Sequence, residues 1–149
     1  MNCVVCEFYN DLLPPDRTPQ ASAFEQYVYS LLDRLYAAGD WIYGARPLLG
    51  NVSSADAWFP ALKLFIMIDG ETHFEDAHGK PHTDQEDRDD DFNYEAIDRD
   101  FTVLRLHFQD VSSGHISELI RKVVSECHKS RRRPFLEFSP AFKRPREVP

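Results

Sequence analysis

From residue 62 to residue 69 apolar character runs with a period of two. Leu62, Leu64, Ile66 and Ile68 fall on one face, and Lys63, Phe65, Met67 and Asp69 on the other. The stretch before it, Asp56-Ala-Trp-Phe59, followed by Pro60-Ala61, predicts the first arm and turn of a β-hairpin. Pairing across that turn sets Asp56 opposite Phe65 to Met67, with Asp69 one pleat beyond. Asp69-Gly70 then ends the strand. A second alternating run, FTVLRLHF at 101–108, puts Thr102, Leu104, Leu106 and Phe108 on one face and Val103, Arg105 and His107 on the other. Three stretches carry helical spacing. Residues 22–36 show a stripe of Phe24, Tyr27, Val28, Leu31, Leu32, Leu35 and Tyr36 that stops before Gly39. Residues 83–97 are acidic at the start and apolar late, as suits the positive end of a helix dipole, although six acids in the eight residues 84–91 also suit a disordered loop. Residues 113–128 repeat Ile116, Leu119, Ile120, Val123, Val124 and Cys127. With a short aromatic strand at 41–45, the order is helix, strand, hairpin, helix, strand, helix. It predicts an α/β fold: one mixed sheet with a right-handed crossover and helices on its faces.

Composition changes this picture in two places. The 149 residues suit one domain with a true core, and the net charge of −8 argues against a general nucleic-acid coat. The charge is uneven: from Arg121 onward nine Lys or Arg face three Asp or Glu, while acid concentrates between Glu71 and Asp100. The expected division is an irregular, proline-bearing arm at 1–20, a folded body at 21–128 and a basic Pro/Arg-rich tail at 129–149. The tail's Phe135, Leu136, Phe138 and Phe142 are positioned to dock on the body and its Arg131, Arg132 and Arg133 to touch phosphates, while its last few residues read as a solvated end. No apolar run approaches the roughly 20 residues of a membrane span, and the N-terminus lacks the marks of a secretory leader. An intracellular, non-secreted protein is expected. Cys3 and Cys6 supply two of the four ligands a zinc site needs, and Cys127 falls on a core stripe, so zinc is not expected.

The candidate chemistry gathers around the hairpin. Asp56 and Asp69 meet near one strand end, and His73 follows the Asp-Gly turn. Two carboxylates and an imidazole there suit a hard divalent cation and a proton transfer; the alternative is an ordinary Asp-Gly turn capped by Asp56. Glu25 completes a capping box with Ser22, a full structural role in itself. Arg105 either holds a phosphate or neutralises Asp69 through a charge-assisted hydrogen bond, and His107 shares its face. The acids between Asp84 and Asp91 read as a solvated face, and Trp41 and Trp58 as core.

These residues carry a resemblance. A helix bearing Glu25, Asp56 at a hairpin, a strand ending IDGETHF, an Asp/Arg-rich helix and then VLRLHF are together similar to the very-short-patch-repair endonucleases. That group belongs to the PD-(D/E)XK restriction-endonuclease-like superfamily. The IDGETHF segment also resembles the RAP domain of organellar RNA-binding proteins. The resemblance covers residues 22–124. It implies a three-layer fold and a magnesium-dependent endonuclease of DNA-repair type, with Asp56 and Asp69 as metal ligands and catalytic residues beside His73 and Glu25. Arg105, His107 and Lys63, with Arg131 to Arg133, would face the nucleic acid, with DNA the expected partner. Magnesium would activate the attacking water and His73 would pass a proton to the leaving oxygen. Two positions depart from the pattern: Met67 stands where an acid is common two residues before Asp-Gly, and Phe92 where a lysine is expected. A thioether does not bind magnesium. These departures support two alternatives: a catalytically inactive RAP-like binding domain, or an acidic protein-interaction module on the same fold.

Overall fold

The computed structural model describes residues 23–43, 55–70, 83–129 and 133–149. Five strands form one sheet in the order β1-β2-β3-β4-β5. β1 (Ile42–Tyr43), β2 (Ala57–Phe59) and β3 (Leu64–Asp69) pair antiparallel; β4 (Thr102–His107) and β5 (Leu136–Phe138) continue the sheet parallel to β3. Three helices cover it: α1 (Ala23–Leu35), α2 (Thr83–Asp98) and α3 (His115–Cys127). α2 lies between the parallel neighbours β3 and β4, as a parallel pair requires. The α/β class and the mixed sheet agree with the sequence pattern. None of the described helices is long and apolar enough to cross a membrane.

The hairpin register follows from its turn. Pro60–Leu62 makes one turn of 3-10 helix, and Lys63 closes it in the left-handed region (φ 49°) with its N–H on the Pro60 carbonyl at 3.3 Å. Trp58 then faces Phe65, and Ala57 faces Ile66. All six residues of β3 and all six of β4 are buried, because helices cover both faces.

Two apolar layers result. On one face Leu64, Ile66, Leu104 and Leu106 pack against the stripes of α1 and α3, including Val28, Leu32, Ile120 and Val123. Cys127 is a buried core residue in this layer. On the other face Trp58 stacks on Phe65, and Phe65 stacks on Phe101 and meets Phe92 of α2 edge-on. Phe92, at the position where the resemblance led to a lysine, is therefore core.

The sheet extends beyond residue 128. β5 was not legible as a strand, since three residues carry no period. Its backbone is nonetheless paired on both sides, by β4 and by Glu147, whose N–H and carbonyl exchange hydrogen bonds with Leu136 at 2.9 and 2.8 Å. The last residues are clasped as well. Arg144 reaches Asp90 of α2 at 3.0 Å and lies over the Phe138 ring, while Arg146 reaches Glu126 of α3 at 2.7 Å and lies over Phe135. The docking expected of Phe135, Leu136 and Phe138 is observed: each is nearly or fully buried.

Candidate functional site

Asp56 stands just before β2. With Ala57 opposite Ile66, it comes level with Met67, and its Oδ2 accepts a hydrogen bond from the Ile68 N–H at 2.7 Å. The Tyr29 hydroxyl of α1 donates to its carbonyl oxygen at 3.2 Å, fixing the backbone there. Asp69 ends β3. Alternation aims it, like Phe65 and Met67, at the α2 side of the sheet.

β4 runs alongside with Met67 opposite Arg105 and Asp69 opposite His107. Arg105 shares the Asp69 face, and its Nε lies 3.2 Å from Asp69 Oδ2 with both side chains almost wholly buried. From above, α2 lowers Asp89, whose Oδ1 is 2.9 Å from Arg105 Nη2 and also accepts from Gln85 Nε2 at 2.8 Å. Burial disfavours the charge on Arg105, but Asp69 and Asp89, with Asp56 further off, outweigh it and hold its pKa above the ordinary value. A permanent cation therefore sits inside a group of carboxylates.

Asp89 is the residue the sequence reading missed, placed there in a solvated acidic run. A signal existed. Asp89 precedes Phe92, Asn93 and Ala96 by three, four and seven residues, so it shares the helix's one buried stripe. Of the alternatives for Arg105, neutralisation of Asp69 is what the geometry provides.

His107 is buried at the same end of the sheet. Its Nδ1 accepts from the Gln109 N–H at 3.1 Å, which leaves the proton of the neutral ring on Nε2. Its ring packs against Phe108 and Phe142. Burial lowers its pKa below 6.5, although Asp110 works the other way. His107 is thus a wall residue, and its backbone N–H donates to Ser139 Oγ, just after β5, at 2.8 Å.

The remaining candidates are dispersed. Lys63 stands at the opposite end of β3, roughly 20 Å along the strand from Asp69, where its exposed ammonium is 3.8 Å from Asp100. Glu25 sits in the first turn of α1, in the layer on the other face of the sheet. Arg133 donates to the Pro149 carbonyl at 3.5 Å. His73, Arg131, Arg132 and the Cys3/Cys6 pair lie outside the described residues.

Magnesium demands oxygens that can face both water and a phosphate. Asp69 is sealed against a guanidinium, and Asp56 holds a backbone N–H through Oδ2. Among the described residues no group of three or more His, Cys, Asp or Glu side chains is disposed to hold a metal ion. The described donor set does not fit the ion that the resemblance implies. No family model, curated protein or solved structure matches the chain.

Proposed function

We propose that this chain is a restriction-endonuclease-like module that binds nucleic acid without hydrolysing it. The observation that carries the reading is Arg105: the carboxylates that would grip a metal ion surround a buried guanidinium instead. An arginine cannot give up its proton or activate a water as a metal does. The elements bear the motifs in the order of the resemblance, with Asp56 at the mouth of the hairpin and Asp69 at the end of the next strand.

Charge indicates which surface meets the phosphates. α2, above the carboxylate cluster, exposes Asp84, Glu86, Asp87, Asp91 and Asp98, which would repel a polyanion. On the far face of the sheet α3 exposes Arg121 and Lys122, and Lys129 follows at its end. The binding surface is this α3 side, leading toward Arg133.

The test is fluorescence anisotropy with single- and double-stranded DNA and RNA over a salt series, beside plasmid incubation with magnesium or manganese. Expected are binding that weakens steeply with salt, a shallower salt slope in Arg121→Glu/Lys122→Glu, and intact plasmid. Metal-dependent cleavage abolished in Asp56→Ala would overturn the reading in favour of the endonuclease. Absence of binding at low salt would overturn it in favour of the acidic protein-interaction module.

A further inference from the structure

Two buried polar side chains beneath α2 have unspent hydrogen-bonding capacity. Asn93 is fully buried, and neither its amide oxygen nor its amide nitrogen has a hydrogen-bond partner. Arg105 is equally buried; its Nη1 has no partner, while its Nη2 lies 2.9 Å from Asp89 Oδ1. Folded proteins rarely leave such groups unsatisfied, and where protein atoms do not serve, an ordered water commonly does.

The two groups are linked through Asp89. Asn93 is one turn beyond Asp89 on the same stripe of α2, a spacing that makes their side chains neighbours on the helix surface. Asp89 in turn touches the Arg105 guanidinium. Asn93 and Arg105 thus have Asp89 as a common neighbour.

We propose that Asn93 and Arg105 hold an internal water between α2 and β4. The chemistry narrows the occupant. Arg105 Nη1 and Asn93 Nδ2 each offer protons and need an acceptor, whereas Asn93 Oδ1 needs a donor. An anion would meet Asp69, Asp89 and Asp56 around it. A metal ion finds no ligand in N–H groups. A water accepts from Nη1 and Nδ2 and donates to Oδ1, with a second proton left for a carboxylate. The bridge would link α2 to the sheet at a point where the helix has little apolar surface to offer. It stands independently of the nucleic-acid reading, since it concerns groups on the side of the sheet away from α3.

A high-resolution crystal structure of the full chain tests it directly. The expected result is a water within hydrogen-bond distance of both Asn93 and Arg105 Nη1. Direct pairing of Asn93 with Arg105, or pairing of either with another protein group, would overturn it. Without crystals, nuclear Overhauser contacts between the Asn93 side-chain amide protons and a long-lived water serve the same purpose, and their absence is equally adverse. Denaturant unfolding of Asn93→Leu gives a separate reading. Leucine has similar bulk but cannot hold the water, so the folded-to-unfolded ratio should fall about 5- to 30-fold. A variant as stable as the parent, or more stable, would contradict the bridge.

Discussion

Arg105 brings the most constraint from a single position. Its guanidinium is the counter-charge for Asp69, and the two are buried together. Removing one partner of such a pair leaves the other as an uncompensated buried charge, which costs about 3–5 kcal/mol. Arg105→Leu is therefore expected to lower the unfolding free energy by about that amount in urea titration. Asp69→Asn/Arg105→Leu should recover part of the loss, because the fully buried carboxylate is then gone and only the partly exposed Asp89 is left without the guanidinium. His107 makes a different demand. Its folded pKa lies below its unfolded value near 6.5, so the folded state binds fewer protons. Its contribution is complete above about pH 6.5 and is lost as pH falls toward the lower folded value. His107→Asn keeps an acceptor for the Gln109 N–H. It should flatten the dependence of Tm on pH in that window, while the lost ring packing on Phe108 and Phe142 lowers the Tm at neutral pH.

At the scale of elements, α2 is the conditional member. Its inward side carries buried Phe92 and Ala96 and partly buried Ile97, together with buried Asn93 and partly buried Asp89. Its attachment depends on Phe92 against Phe65, on Asp89 at Arg105 and on the tail's Arg144 at Asp90. Phe92→Ala should cost about 3–5 kcal/mol, as for other aromatic truncations in cores. The Arg144–Asp90 pair is partly exposed and so weaker. A double-mutant cycle with Arg144→Ala and Asp90→Ala should give a coupling of roughly 0.2–1 kcal/mol that shrinks with added salt. Arg144 and Arg146 are thus paired with acids of the body, Asp90 and Glu126.

Over the whole molecule the two faces of the sheet differ in kind. The α1/α3 layer is closed by continuous aliphatic stripes; the α2 layer joins an aromatic stack to a charged, hydrogen-bonded cluster. Local opening should start where apolar burial is thinnest. Hydrogen exchange is expected to release α2 amides before those of β3, β4 and α3, with β3 and β4 the slowest because helices cover both their faces. A uniform exchange rate across the three helices would contradict this ordering. The same asymmetry separates the acidic outer surface of α2 from the cationic residues of α3, on opposite sides of one sheet.

What the chain determined by itself is periodic or local. The alternation of β3 and β4, the stripes of α1 and α3 and the Pro60-Ala61 turn each repeat a physical requirement over several residues. They were legible, and with them the shared face of Asp56, Asp69 and Arg105. What only the tertiary structure decided depends on single contacts between distant segments. Asp89 looks like its acidic neighbours until the helix is set down over Arg105. β5 is three residues long and becomes a strand because β4 offers it an open edge and Glu147 covers the other. Whether the carboxylates face a metal ion or a guanidinium is likewise a matter of which side chain arrives from the next strand. Periodicity reports which way a side chain points; it carries no record of what will be waiting there.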